Sequence, residues 1–269
     1  AHGNHVYFHK DLPTVALAAG ADIACQSTHK MSGSLGQSSM LHVKGDRVDR
    51  ARLRANLQLL QSTSPSYLLQ ASLDAARHFM ATEGAAVFGD LLPQIEEARA
   101  SIGRIPGLEV LGPSIAGSHG IAYYEPTRLV VSARQLGIEG YDLFRRLRSS
   151  YGVEAEFGDF YYVVAVLGPG TVQRDLDRFV AALAAIVAES GLNGRQSAPL
   201  IWKEELPPIP PMRRTPRDAY FAKTEPVPWD KAKGRIAAEL AVPYPPGIPV
   251  LCPGEEISGD VFDYLEGLR

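Results

Sequence analysis

Only two cysteines, Cys25 and Cys252, occur in the 269 residues. That is far too few for a disulfide framework and points to a reducing cytoplasm. Long apolar stretches are also lacking: the longest run covers residues 179–188 and stops at Glu189, too short to cross a bilayer. Neither sign of charge is in marked excess, with 27 basic and 30 acidic side chains and a formal charge of −3. A dedicated nucleic-acid binder would show a basic surplus, so neither nucleic acid nor membrane is an expected partner. The first residues, Ala1-His2-Gly3-Asn4-His5, have no initiator Met, charged n-region or apolar h-region, and read as the middle of something longer. What is present is globular: 45% apolar and 21% charged residues exclude extended disorder and allow two modest domains or one large one.

Along the chain, Ile23-Ala24-Cys25 and Met40-Leu41-His42-Val43 read as short strands of a buried sheet. A helical pattern covers 49–60. A stronger one follows Ser64-Pro65, with Leu69, Leu73, Ala76 and Met80 in one stripe. Asp90 is positioned to cap a further helix whose stripe runs through Leu91 or Leu92, then Ile95, Ala98 and Ile102. Strands are expected at 129–131 and 160–167, and helices at 141–147 and from Thr171 to near Gly191. Beyond Gly194 the composition shifts. Thirteen of the 20 prolines lie between 199 and 253, which predicts extended chain with one short helix at 229–239. Trp202, Trp229, Tyr220, Phe221 and Tyr244 in that stretch predict packing onto a body rather than a free spacer.

Ser27-Thr28-His29-Lys30 is the most informative tetrapeptide, lying after a strand and before the small-residue loop Met31-Ser32-Gly33-Ser34-Leu35-Gly36. A lysine buried there would lose solvation of its charged form and become a Schiff-base nucleophile, with hydroxyls and an imidazole at hand for a phosphate. Pyridoxal-phosphate enzymes hold one cofactor at these two points, aldehyde and phosphate. An exposed lysine near a turn is the bland reading of four residues taken alone. His2, His5 and His9 are spaced as if for one helix face, but Gly3, Asn4 and Pro13 disfavour that helix, and no metal is expected.

Further motifs stand in order around the tetrapeptide: Ala1-His2-Gly3, Gly20-Ala21-Asp22, Gln37-Ser38-Ser39-Met40, Gln61-Ser62-Thr63-Ser64-Pro65, Pro243-Tyr244-Pro245-Pro246-Gly247 and Pro253-Gly254-Glu255. The series resembles the bacterial Orn/Lys/Arg decarboxylases of the pyridoxal-phosphate fold type I (aspartate-aminotransferase-like) class. It is strongest at both ends and weakest between about 106 and 194. The resemblance implies an α/β fold, with the second half of a partial fold type I large domain in 1–88, a small α+β subdomain in 89–194 and a Pro-rich C-terminal segment near the active site in 195–269. It implies pyridoxal 5'-phosphate as cofactor, with Lys30 tethering it, Ser27 and His29 on its phosphate, Ala1 and His2 against its ring, and Ser62 reaching the phosphate of a neighbouring subunit in a homodimer or larger homo-oligomer. Glu255 resembles an acid near the distal cation of a basic amino-acid substrate, and Cys252 stands beside it as a pocket residue or a small buried thiol. Lys30 or His29 would return a proton to Cα.

In the family an Asp-Glu pair precedes Ala-His-Gly, and that Asp pairs with the pyridine nitrogen. The resemblance therefore implies the C-terminal part of a longer enzyme, with little activity from these residues alone. The alternative function is a non-catalytic remnant that associates with a full-length partner. Transamination would require an arginine to clamp the substrate carboxylate, for which Arg128 and Arg134 are the candidates.

Overall fold

A computed structural model of the chain describes residues 3–118, 120–191, 206–244 and 247–268. It divides into two compact units, Ala1–Pro199 and Leu200–Arg269. Among the described residues no helix is long and apolar enough to cross a membrane.

The first unit opens with a 3-10 turn, Asn4–Phe8. Strands β1 (Ile23–Gln26) and β2 (Met40–Val43) pair antiparallel, with Ile23 opposite Val43 and Gln26 opposite Met40. Both were expected from their sequence, but not their surroundings. Ile23, Cys25 and Leu41 are exposed, so this is a two-stranded ribbon with one wet face rather than a buried sheet. The link between the strands holds a single helical turn, α1 (Thr28–Met31).

Helix α2 (Arg50–Leu60) starts where Asp49 accepts the Ala51 and Arg52 amides, and it buries no residue. Helix α3 (Tyr67–Thr82) is capped by Ser66 and buries Ala76 and Met80 from the expected stripe. The next helix, α4 (Gly84–Gly103), begins seven residues before the expected starting point, so Asp90 lies within it rather than at its cap. The reason is a longer stripe: Phe88 precedes Leu91, Ile95, Ala98 and Ile102 at helical spacing, and all five are buried. The expected junction between residues 88 and 89 therefore falls inside α4.

A second sheet has the order β3-β4-β6-β5, antiparallel throughout, formed by β3 (Glu109–Val110), β4 (Arg128–Ser132), β5 (Phe157–Gly158) and β6 (Val163–Val166). The strand expected over 160–167 is shorter at its start. Asp159 Oδ1 accepts the Tyr161 and Tyr162 amides at 2.8 and 2.6 Å and turns that segment instead. Helices α5 (Gly140–Tyr151) and α6 (Gln173–Glu189) complete the unit. The start of α5 lies so close to β5 that a Cβ on Gly140 would come 2.3 Å from the Asp159 carbonyl, and only glycine permits that approach. Leu129, Val131 and Val163 on the inner sheet face join Phe88, Ile95, Leu143, Leu183 and Ile186 in one core that also takes in Leu12 and Met80.

The second unit contains α7 (Pro216–Phe221), with Thr215 as cap and Pro216 in the first turn, and α8 (Gly259–Gly267), capped by Ser258. The helix expected over 229–239 is only a 3-10 turn, Trp229–Lys231, because Gly234 takes a left-handed φ of 80° and ends it. Trp229 stacks on Phe262 at 4.7 Å beside a small core of Leu251, Ile257 and Val261. Gly254 has φ 95°, and its carbonyl accepts both the Arg213 and Arg214 amides.

Candidate functional site

Residue spacing in one helical turn decides which side chains of α1 face inward. Thr28 and Met31, three apart, are buried, which turns Lys30 outward. Lys30 is exposed, contrary to the expectation of a buried amine, and His29 and Ser27 are half-buried beside it. The three expected cofactor residues thus fall within four successive positions after β1. A cavity of about 490 Å³ in the first unit lies against the Thr28 side of α1. Asn4, Phe8, Gln26, Thr28, Ser32 and Met80 are among the residues around it, whereas His29 and Lys30 are not.

The loop after α1 folds back on His29. The His29 Nδ1 lies 2.6 Å from the Ser38 carbonyl, which also accepts the His29 amide at 3.4 Å. Ser38 is held in turn: its hydroxyl donates to the Leu35 carbonyl at 2.6 Å and meets Ser34 Oγ at 2.6 Å. Gln37, just before it, has φ 74°, the one positive φ outside glycine among the described residues. Gln37 and Ser38 belong to a motif of the resemblance, but nothing in the sequence marked the turn they make onto His29, since glutamine is not a residue that favours the left-handed region.

A second polar cluster abuts α1 from β4. His5 is fully buried, with Nε2 3.5 Å from both Glu125 Oε1 and Thr127 Oγ1. The Thr127 amide donates to Glu125 Oε1 at 3.0 Å. Arg128 Nη1 lies 3.2 Å from Glu125 Oε2, 3.0 Å from Thr127 Oγ1 and 3.7 Å from Sδ of Met31, the residue after Lys30. Burial pushes the Glu125 carboxyl up, but the hydrogen bonds of His5 and Thr127 and the Arg128 charge outweigh it and hold the group below the usual carboxylate range. Arg99, itself buried, fixes this stretch by donating to the Leu111 and Pro126 carbonyls and to Tyr124 Oη. The two candidate carboxylate clamps are both engaged: Arg128 with Glu125, and Arg134 with Glu109 at 3.1 Å.

Ser62 is exposed in the α2–α3 connection, where its Oγ accepts the Ser64 amide at 3.1 Å. Glu255 and Cys252 share one turn of the second unit: Glu255 is buried, and its Oε2 accepts the Cys252 amide at 2.7 Å. Ala1 and His2 lie outside the described residues. As a donor set, a primary amine for an aldehyde plus a hydroxyl and an imidazole for a phosphate fit the two ends of pyridoxal phosphate.

Comparison with known proteins finds two family models along the chain. "Orn/Lys/Arg decarboxylase, major domain" matches residues 1–175, and "Orn/Lys/Arg decarboxylase, C-terminal domain" matches 203–269. The major-domain model is matched from residue 1, so these matches do not support the expectation of a C-terminal part alone. Two curated relatives are named arginine decarboxylase. That of Bacillus subtilis is 42% identical over 98% of this chain, and that of Halalkalibacterium halodurans is 40% identical over 98%. The chain spans about half the length of the curated relatives it matches, 54% in both cases. Among solved structures, lysine decarboxylase A from Pseudomonas aeruginosa superposes with a TM-score of 0.76 at 21% identity, covering 97% of this chain and 47% of that one. The constitutive lysine decarboxylase of Escherichia coli gives 0.75 at 18%, covering 91% and 45%. At these identities the likeness is one of fold.

Proposed function

The chain belongs to the Orn/Lys/Arg decarboxylase family, and from that premise we propose that it carries the cofactor lysine of an enzyme that decarboxylates a basic amino acid. The observation that carries the reading is that Ser27, His29 and Lys30 fall within four successive positions after β1, with the amine accessible and the imidazole tied to the Ser38 carbonyl. Pyridoxal phosphate, when bound, supplies the electron sink into which the Cα–carboxylate bond breaks. Lys30 holds its aldehyde end, and Ser27 and His29 hold its phosphate. Ala1 and His2 are assigned to its ring, and Glu255 with Cys252 to the substrate's distal cation. Residues 1–88 are read as part of a fold type I large domain. Arginine is the substrate we favour, because relatives near 40% identity are named arginine decarboxylases, whereas one named a lysine decarboxylase is 26% identical. The cytoplasm is the assigned compartment.

We also infer a homodimer with shared sites. Helix α2 buries no residue, and Leu59, Leu60, Tyr67 and Leu68, flanking the Ser62 connection, are each at least 76% exposed. Such a patch beside a residue assigned to a neighbour's phosphate is suited to self-association.

The test is carbon dioxide release from arginine, lysine and ornithine by the complete polypeptide, with and without Lys30→Ala. Release from arginine at the highest kcat/KM, abolished by the substitution, is expected. Turnover that survives Lys30→Ala overturns the assignment.

A further inference from the structure

We propose that the turn from Leu35 to Ser38 is a positioning device for His29, fixing its tautomer so that Nε2 is the ring atom presented beside Lys30. A carbonyl oxygen only accepts, so the 2.6 Å contact between Nδ1 and the Ser38 carbonyl requires a proton on Nδ1. The neutral ring then carries its lone pair on Nε2. The device is over-determined. The Ser38 hydroxyl bonds to the Leu35 carbonyl and to Ser34 Oγ, Ser34 and Ser38 are buried, and the Leu35 amide is tied to Ser72 Oγ of α3 at 3.2 Å. Gln37, at φ 74°, adopts the left-handed conformation that aims the Ser38 carbonyl at the ring. Strain of this kind persists only where surrounding bonds hold it, and here they converge on one imidazole.

The consequence rests on the proposed function. A phosphate oxygen is also an acceptor, so His29 meets it only with Nε2 protonated as well, as an imidazolium donating from both nitrogens. With one N–H engaged by the Ser38 carbonyl and the other by the phosphate, His29 is not the group that returns a proton to Cα, and that role falls to Lys30. Gln37 and Ser38 are therefore positioning residues, acting through His29 without touching the ligand.

Nitrogen-15 NMR of the histidine-labelled chain separates the two ideas. In the chain alone, His29 is expected as the Nδ1–H tautomer. Gln37→Gly, which relaxes the turn without abolishing it, should keep that tautomer. Gln37→Val, whose β-branched side chain is disfavoured at positive φ, should lose it. Finding His29 as the Nε2–H tautomer in the chain alone, or unchanged in Gln37→Val, overturns the device. Pyridoxal 5'-phosphate is then added, with pyridoxal as the phosphate-free control. The phosphate ester should convert Nε2 to its protonated shift and pyridoxal should not. Gln37→Val should bind the ester about tenfold to a hundredfold more weakly, the loss of one charge-assisted hydrogen bond. An ester that attaches at Lys30 and leaves Nε2 unmoved overturns the phosphate role of His29. An ester that fails to attach at Lys30 overturns the decarboxylase reading, while the tautomer already measured still decides the device.

Discussion

Glu125 shows how one residue's environment sets a pH response. Its carboxyl is held below the usual carboxylate range because the His5 and Thr127 hydrogen bonds and the Arg128 charge outweigh the cost of burial. A carboxylate whose pKa is depressed on folding contributes stability above its unfolded value and loses it as the pH falls through the folded one. Stability of the first unit is therefore expected to drop on the acid side, below the ordinary carboxylate range. Glu125→Gln should lower stability near neutrality and flatten that acid limb. Denaturation midpoints measured from neutral to acid pH check this, and parallel curves for the two proteins would contradict it. His5 and Glu125 are 120 positions apart, so their pairing was invisible in the sequence, where His5 appeared only as one of three histidines at helical spacing. The reverse holds for Lys30. Its string Ser27-Thr28-His29-Lys30 was legible, but the sequence left a buried and an exposed lysine both open, because the direction of a side chain within a single helical turn depends on which neighbours find a core, and here Thr28 and Met31 did.

At the scale of elements, local chemistry was readable where a cap and a stripe coincide. Helix α3 follows Ser66 and buries the expected Ala76 and Met80; α2 follows Asp49. It failed where one residue breaks a pattern or a stripe extends past its apparent start, as at Gly234, at Asp159 and in the early turns of α4. The helices α7 and α8 had cap signals, Thr215-Pro216 and Ser258, that the proline content around them obscured. The motif Pro253-Gly254-Glu255 has a structural reason independent of any ligand. A Cβ on Gly254 would sit 2.3 Å from the Arg214 carbonyl at a φ that side chains rarely adopt, while Glu255 ties off the Cys252 amide. Gly254→Ala is accordingly expected to destabilise the second unit by about 1–3 kcal/mol from backbone strain alone, with the carbonyl clash adding to it. The stacked Trp229 supplies a fluorescence reporter for that unit's unfolding, and an unchanged midpoint would show that the backbone there accommodates a side chain.

For the whole molecule, the balance between buried and exposed apolar surface bears on assembly. The core of the first unit is well filled, with Phe88, Ile95, Leu143 and Leu183 at most 1% exposed. Yet α2 contributes nothing to it, while Leu59 and Leu60 stand 80% and 81% exposed at its end. A helix that buries no apolar side chain in its own fold gains little from tertiary packing, which is the main source of helix stability in water. Covering the four side chains around Ser62 by a second copy would remove that deficit, at roughly 25 cal/mol for each Å² of apolar surface taken from water. We expect the chain to self-associate in a concentration-dependent way, and Leu59→Ser with Leu60→Ser to shift it toward the monomer by at least tenfold in dissociation constant. Sedimentation velocity across a dilution series reads this directly. Far-ultraviolet circular dichroism on the same samples should show α2 losing helicity as the wild-type chain is diluted. A chain that remains monomeric at every concentration, with α2 fully helical, would show that the helix holds without a partner, and would remove the physical ground for placing Ser62 at a neighbour's phosphate.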